Sequence, residues 1–309
     1  MPADFTPVSW DDALADDLRQ LVRLALDEDL EGQRDWTTAS LVGEATPSAA
    51  DVVSRQHGVF VGERIAAAVF AAAGAGAECE ALAHDGDLVE PGQAVLRLTG
   101  LARDLLTCER TVLNFLGRLS GVASLAKQYA DAIAGTTARV YDTRKTLPGW
   151  RRLDKYAVRM GGGSNHRTGL YDAVMIKDNH LAHAEGLDLS PAGALERSRA
   201  ECARLDPAAA GRLVYEIEVD SLDQLRDALM ADPDVVLLDN MSNEQLSKAV
   251  AIRNERSSEG ASHRAVLEAS GGVNLNTIAG IARTGVDRIS VGALTHSAPV
   301  LDLGLDWKP

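Results

Sequence analysis

At 309 residues, with 46% of them hydrophobic, the chain can bury a real core, and a prior of roughly 150 residues per domain predicts two domains. A formal charge of −14 argues against a nucleic-acid binder, which would show a basic face, but leaves room for an anionic small molecule because local pocket charge decides that. The opening MPADFTPVSWDDALADD lacks the basic and apolar regions of a signal peptide, the Ala-rich run 66–77 is too short to span a bilayer, and Cys79, Cys108 and Cys202 show no metal-like spacing, so a reducing cytoplasmic setting is expected.

Ser9 is the expected N-cap of a first helix carrying Leu14, Leu18, Leu21, Val22 and Ala25 at helical spacing and fading at residues 27–29. Glu31 to Thr38 reads as a solvated polar loop. Residues 50–100 read as a small α+β unit: strands over 51–56, 59–61, 78–83 and 94–98, with a helix over 63–73 closed by Gly74 and Gly76. Within it, DGDLVEPGQAVLRL is similar to the hairpin of lipoyl or biotinyl carrier domains, but no lysine stands in the turn, so a structural hairpin is expected. Residues 101–134 read as one long helical region, or as two helices broken near Gly117 or Gly121. Arg110 on it reads equally as a snorkelling surface arginine and as one delivered to a site.

From residue 138 short apolar runs alternate with helical segments, the rhythm of a parallel α/β layer or barrel. Strands are expected over 139–143, 173–177, 213–219, 235–239, 265–269 and 288–291, with helices over 149–160, 191–204, 221–231, 242–256 and 274–284. Polar residues follow or close every strand: Arg144 and Lys145; Lys177, Asp178 and Asn179; Glu218; Asp239 and Asn240; Ser270, Gly271 and Gly272; Gly292. In β/α barrels the active site is built at that face.

The stretch 142–180 packs Arg144, Lys145, Arg151, Arg152, Lys155, Arg159, His166, Arg167 and Lys177 into an acidic chain, around the glycines 161–163. Forked guanidinium hydrogen bonds suit carboxylates, which points Arg144, Arg167 and their neighbour His166 at an acidic substrate. Lysines 145 and 177 are point charges for phosphate oxygens. Ser270-Gly271-Gly272 and Val291-Gly292-Ala293 offer backbone N–H groups to a phosphate, with a helix dipole expected near Asn274. Glu218 and Asp239 are hard oxygen ligands suited to Mg²⁺, and Glu216 lies one layer deeper, a candidate buried partner for a lysine. Most of the basic residues of 151–159 are expected to be solvated or at a subunit interface, and His180 and His183 to be structural.

The chain closely resembles the quinolinate phosphoribosyltransferases in DTRKTLPG, KYAVRMGGGSNHRTGLYDAVMIKDNH, EIEVDSLDQL, VVLLDNM, LEASGGVNLNTI and ISVGALTHSAPVLD, and in CERTVLNFLGRLSG nearer the N-terminus. The resemblance covers about residues 12 to 305. It implies an α/β sandwich domain, here expected over 1–134, followed by an open α/β barrel of about six parallel strands over 135–309, whose last residues can return to the first domain. It implies transfer of a phosphoribosyl group from phosphoribosyl pyrophosphate to quinolinate with Mg²⁺, giving nicotinate mononucleotide, pyrophosphate and CO₂ in NAD biosynthesis. By the same resemblance Arg110, Arg144, His166 and Arg167 hold the quinolinate carboxylates, and Thr143, Lys145 and Lys177 reach substrate. Glu218 and Asp239 serve ribose and metal, directly or through water, with Lys145, Lys177, Glu218 and Asp239 as the catalytic set. Ser270, Gly271, Gly272, Val291, Gly292, Ala293 and His296 hold the 5′-phosphate. A homodimer or larger assembly with shared sites, Arg110 coming from the neighbour, is also implied. The loops over 31–36 and 253–264 look longer than the family's. The alternatives are a paralogous pyrophosphorylase acting on another acid and a non-catalytic phosphate-binding barrel.

Overall fold

The computed structural model describes residues 4–183, 189–258 and 264–308. Among these, the chain forms two compact units, one of residues 4–7, 128–144 and 164–292, the other of 8–127, 145–163 and 293–308. The expected division at 134/135 is not a single cut: residues 145–163 belong with the N-terminal unit and residues 4–7 with the barrel, while the C-terminal stretch belongs with the N-terminal unit, the return that the resemblance allowed for.

In the unit that holds residues 8–127, α1 (Asp12–Leu30) starts two residues later than expected, because Asp11 rather than Ser9 caps it, accepting from the Leu14 amide at 2.8 Å. Its buried stripe is Leu14, Leu18, Val22 and Leu26. The expected loop over 31–38 holds for residues 31–35 and then gives way to a short helix, α2 (Trp36–Leu41), since Asp35 caps it by accepting from the Thr38 amide. Strands β1 (Pro47–Ser54), β2 (Gly58–Val59), β3 (Glu78–Ala81), β4 (Leu88–Val89) and β5 (Ala94–Leu101) follow, with α3 (Ile65–Ala73) between β2 and β3 closed by Gly74 at φ 69°. The expected DGDLVEPGQ hairpin does not form, because β4 pairs with β2, whereas β5 pairs with β1 and β3. A late strand, β12 (Leu303–Trp307), adds to β1, giving the antiparallel order β12-β1-β5-β3.

Helix α4 (Ala102–Ala132) is unbroken. Its glycines are there for close approach: a Cβ on Gly121 would meet the Pro299 carbonyl oxygen at 2.0 Å, and one on Gly117 would meet Val300 Cγ1 at 2.7 Å. The Leu301 amide donates to the Gly117 carbonyl at 3.0 Å across that seam. Helix α5 (Arg151–Met160) belongs to the same unit and is less solvated than expected: Lys155 is fully buried, and Arg159 donates to the Val8 carbonyl at 2.6 Å.

The barrel unit holds β6 (Arg139–Tyr141), β7 (Ala173–Ile176), β8 (Val214–Val219), β9 (Val235–Asp239), β10 (Val266–Ser270) and β11 (Arg288–Ser290), all parallel, in the order β6-β11-β10-β9-β8-β7. All six expected strands are present, within a residue or two of their expected ends. The helices between are α6 (Asp178–His183), α7 (Pro191–Leu205), α8 (Pro207–Ala210), α9 (Leu222–Ala228), α10 (Asn243–Ser258) and α11 (Ile278–Ala282); α12 (Ala293–His296) follows β11 in the other unit. Of the expected loop over 253–264, residues 253–258 continue α10, and 259–263 lie outside the described residues. No described helix is long and apolar enough to cross a membrane.

The two-residue strand period sorts the inward residues into layers. At the base, Phe5, Tyr141, Ala173, Val214, Val235 and Val266 form one buried apolar cluster. Two residues further along come Glu216, Leu237 and Glu268, all buried. Two further still come Glu218, Asp239 and Ser270, which are partly exposed. The same strands that pack the core therefore present carboxylates and a hydroxyl at their C-terminal ends.

Candidate active site

The outer layer is built by register. Ser270 is the direct cross-strand partner of Asp239, and Glu218 that of Leu237. Lys177, one residue past β7, places its Nζ 3.1 Å from Glu218 Oε2. Lys177 and Glu218, expected to serve phosphate and ribose separately, thus form an ion pair with each other. Asn240 turns the chain after β9 at φ 53°, donates through Nδ2 to Asp239 Oδ2 at 2.7 Å, and donates its amide to the Ser270 carbonyl at 2.9 Å. Gly271 is required beside it: φ is +94°, and a Cβ there would lie 2.2 Å from Asn240 Oδ1. Gly272 continues at φ 61°. The expected helix start near Asn274 is corrected, because residues 274–277 form a turn closed by the Asn274 amide to Thr277 Oγ1 at 3.0 Å and α11 begins only at Ile278. Gly271 and Gly272 therefore have no helix dipole behind them.

The cationic side of this unit carries Arg144 and Arg167. Arg144 is half-buried, and its Nε is buried without a hydrogen-bond partner among the described residues. Arg167 is 6% exposed and donates through Nη1 to the Ala173 carbonyl at 3.3 Å. Burial, and then the charge of Arg144, hold the Arg167 guanidinium below its ordinary pKa, while Glu216 pulls the other way. A guanidinium pair of this kind favours a ligand with negative charge to spare.

His166 is placed otherwise than expected. Its ring is buried and both nitrogens are engaged: Nδ1 accepts from the Arg167 amide at 2.8 Å, and Nε2 lies 3.2 Å from Glu216 Oε2 and 3.4 Å from Glu268 Oε1. The deeper carboxylates reach the imidazole and tie it into a buried network. Glu216, a candidate lysine partner, pairs with this histidine instead. Two influences compete on the ring. Burial favours the neutral form and the charges of Glu216 and Glu268 push the pKa up, but Nδ1 accepts the Arg167 amide hydrogen and so carries no proton, which leaves the ring proton on Nε2 toward the two carboxylates. The network also answers the metal question. His166, Glu216 and Glu268 bring ligand atoms within 4.8 Å of one another, but they are buried and already paired. Mg²⁺ keeps several waters, so the partly exposed outer carboxylates Glu218 and Asp239 are better suited to hold it than the sealed inner set.

Several members of this inner layer escaped the sequence reading. Ser290 Oγ donates to Glu268 Oε1, Arg288 is the register partner of Glu268, and Arg288 Nη2 lies 3.0 Å from Asp4 Oδ1. Arg288 also stands over the rings of Tyr141 and Phe5, at 4.8 and 5.2 Å, and Phe5 packs on His166 with centroids 4.3 Å apart. Asp142, fully buried, accepts from the His166 amide at 2.8 Å and Asn165 Nδ2 at 2.7 Å. The signal for Glu268 was available in its sequence: it precedes Ser270 by the two-residue strand period, as Glu216 precedes Glu218.

Of the remaining candidates, Thr143 is half-buried two residues past the first barrel strand, and Val291 and Gly292 follow the last. Arg110, Lys145, Ala293 and His296 belong to the other unit. There Arg110 is 66% exposed, with Glu109 at 3.6 Å, and the Lys145 carbonyl accepts from Thr295 Oγ1 at 2.8 Å. His296 Nδ1 lies 2.6 Å from Ser297 Oγ. His180 accepts the Lys177 amide at 2.9 Å through Nδ1, a backbone-fixing role. Burial pushes the thiols of Cys79 and Cys108 up to about 11 and about 12, which leaves them protonated and poor nucleophiles near neutral pH.

Comparison with known proteins gives two domain matches: the quinolinate phosphoribosyl transferase N-terminal domain over residues 35–120 and the C-terminal domain over 122–306. The nicotinate-nucleotide pyrophosphorylase [carboxylating] of Mycobacterium leprae is 43% identical over 293 residues, 94% of this chain and 97% of that one. The probable enzyme of the same name from Bacillus subtilis is 36% identical, over 94% of this chain and 93% of its own. The solved nicotinate-nucleotide pyrophosphorylase of Francisella tularensis superposes with a TM-score of 0.85 at 34% identity, over 99% of this chain and 100% of that one.

Proposed function

The chain belongs to the quinolinate phosphoribosyltransferase family, and we propose that its barrel mouth carries out that family's reaction through the residues described above. It is a pentosyltransferase of NAD biosynthesis: quinolinate and phosphoribosyl pyrophosphate give nicotinate mononucleotide, pyrophosphate and CO₂. The observation that carries the assignment of roles is the pair Arg144 and Arg167 in the unit that also holds Lys177, Glu218 and Asp239 at strand ends. Two forked cations suit a ring with two neighbouring carboxylates, and the strand-end groups suit the sugar diphosphate.

The chemistry asks mainly for positioning. The pyridine nitrogen attacks the anomeric carbon as pyrophosphate departs, and it needs no base. Negative charge grows on the leaving group, and Lys177 is the barrel cation available to meet it once its contact with Glu218 is exchanged for substrate. Glu218 and Asp239 would hold Mg²⁺, which when bound neutralises phosphate charge. Once ribosylated, the ring nitrogen is cationic; the C2–carboxylate bond breaks to release CO₂, its electron pair stays on C2 beside that cation, and a proton from water completes the C2–H bond of the product. Arg144 and Arg167 keep the two carboxylates in register through ribosyl transfer, up to the loss of one as CO₂, and the turn at Gly271 and Gly272 receives the 5′-phosphate. By the family resemblance Lys145 and His296 also serve the substrates, and Arg110 reaches the site of a neighbouring copy in a cytoplasmic homodimer.

The test is direct. Purified protein supplied with quinolinate, phosphoribosyl pyrophosphate and Mg²⁺ should release nicotinate mononucleotide and CO₂ in equal amounts. Thermal shift should favour quinolinate over nicotinate. Turnover of another acid in preference, or no response to either acid, would sink the reading.

A further inference from the structure

Glu216 and Glu268 are 0% exposed, so neither touches a substrate entering from the strand ends. Buried carboxylates are expensive to keep, and well-packed apolar residues of similar size often serve stability as well or better. Leu237, the register partner of Glu268, and Val235, that of Glu216, are both buried on the strand between them, so apolar side chains fit beside each acid. Stability alone is a poor reason for the two acids.

Their contacts lead elsewhere. From Ser290 Oγ the line runs to Glu268, then to His166 Nε2, which Glu216 also meets, and through Nδ1 to the Arg167 amide at 2.8 Å. Asp142 clamps the same tripeptide from the other side, through the His166 amide and Asn165 Nδ2. Arg167 sits where Arg144 repels it, with Glu216 as the opposing anion. A rigid ring between two fixed acids is a means of holding one arginine beside another before any ligand arrives.

We propose that Glu216 and Glu268 are positioning residues which, through the His166 imidazole, set Arg167 beside Arg144 and so confer selectivity for a substrate with two adjacent carboxylates over one with a single carboxylate. This rests on the quinolinate reading above.

The test is steady-state kinetics of full-length Glu268→Gln beside wild type, with nicotinate as a competitor. The isosteric change should raise KM for quinolinate about tenfold, leave KM for phosphoribosyl pyrophosphate within about twofold, and leave inhibition by nicotinate nearly unchanged. Ser290→Ala, which removes a donor to Glu268 and creates no buried charge, should move quinolinate KM the same way by about threefold and carries the test if the glutamine variant does not fold. Parallel loss for both substrates, or a fall in kcat with both KM values unmoved, overturns the proposal while leaving the reaction intact. Absence of turnover in the wild type overturns the reaction reading, and the proposal with it.

Discussion

Glu216 and Glu218 stand two residues apart on β8, and Glu268 and Ser270 repeat that spacing on β10, yet the two layers do different work. The outer one is partly exposed, and its pairing of Lys177 with Glu218 at 3.1 Å is open to exchange with a ligand. The inner one is sealed: each acid meets His166, and Glu268 also takes a hydroxyl hydrogen bond. Depth in the barrel, not residue type, separates a carboxylate that can do chemistry from one that holds the scaffold. At the mouth water screens and charge is easily exchanged, whereas below it an unpaired charge carries its full desolvation penalty.

That contrast can be broken by experiment, beginning at the mouth. Lys177→Ala should lower kcat by about two to three orders of magnitude while Tm changes little, because it removes transition-state stabilisation from an exposed site. A rate within tenfold of wild type would remove it from the mechanism. In the inner layer Arg288→Ala should do the reverse first, losing about 3 kcal/mol of stability in denaturant unfolding, since it strips a cation from Asp4 and from the neighbourhood of Glu268. Arg144→Ala should raise KM for quinolinate by about tenfold to a hundredfold, and KM for phosphoribosyl pyrophosphate much less. Gly271→Ala tests the floor of the mouth: the left-handed φ and the approach of Asn240 should cost about 1–3 kcal/mol and weaken the sugar phosphate more than quinolinate.

The smallest effect lies in the other unit and serves as a control. Arg97, opposed by burial and aided by Lys308, holds the buried Asp51 carboxyl below its ordinary range. A depressed folded pKa means that its stabilisation is present above the unfolded value of about 3.9 and is lost as pH falls through the folded one. Asp51→Asn should therefore lower Tm by a few degrees at pH 7, shrink that difference below about pH 4, and leave kinetics unchanged.

Much of this was legible in the sequence. Short apolar runs alternating with helical segments mark the six barrel strands, and once these are drawn Lys177, Glu218, Asp239 and Ser270 fall at or just past their C-terminal ends. The inner layer was less legible for a physical reason. A charged residue in a strand is ordinarily read as facing water, and nothing local tells that Arg288 and Glu268 are cross-strand partners brought together by register. The contribution of Asp4 and Phe5 depends on contacts with residues more than a hundred positions away, as in the Tyr141 hydroxyl hydrogen bond to Asp4 at 3.1 Å. Short-range capping decided the other differences: Asp35 converts a polar stretch into α2, and the side chain of Thr277 holds residues 274–277 in a turn where a helix was expected.

The seating of β12 along β1 bears on how the protein is made. On the ribosome, β1 emerges early and waits with one edge bare until the entire barrel has been synthesised, because its second partner is encoded near the other end of the chain. An uncovered strand edge invites pairing with other nascent polypeptides. Vectorial synthesis thus leaves the N-terminal sheet incomplete until last, and a chaperone that shields that edge should raise the soluble yield more than one that acts on the barrel.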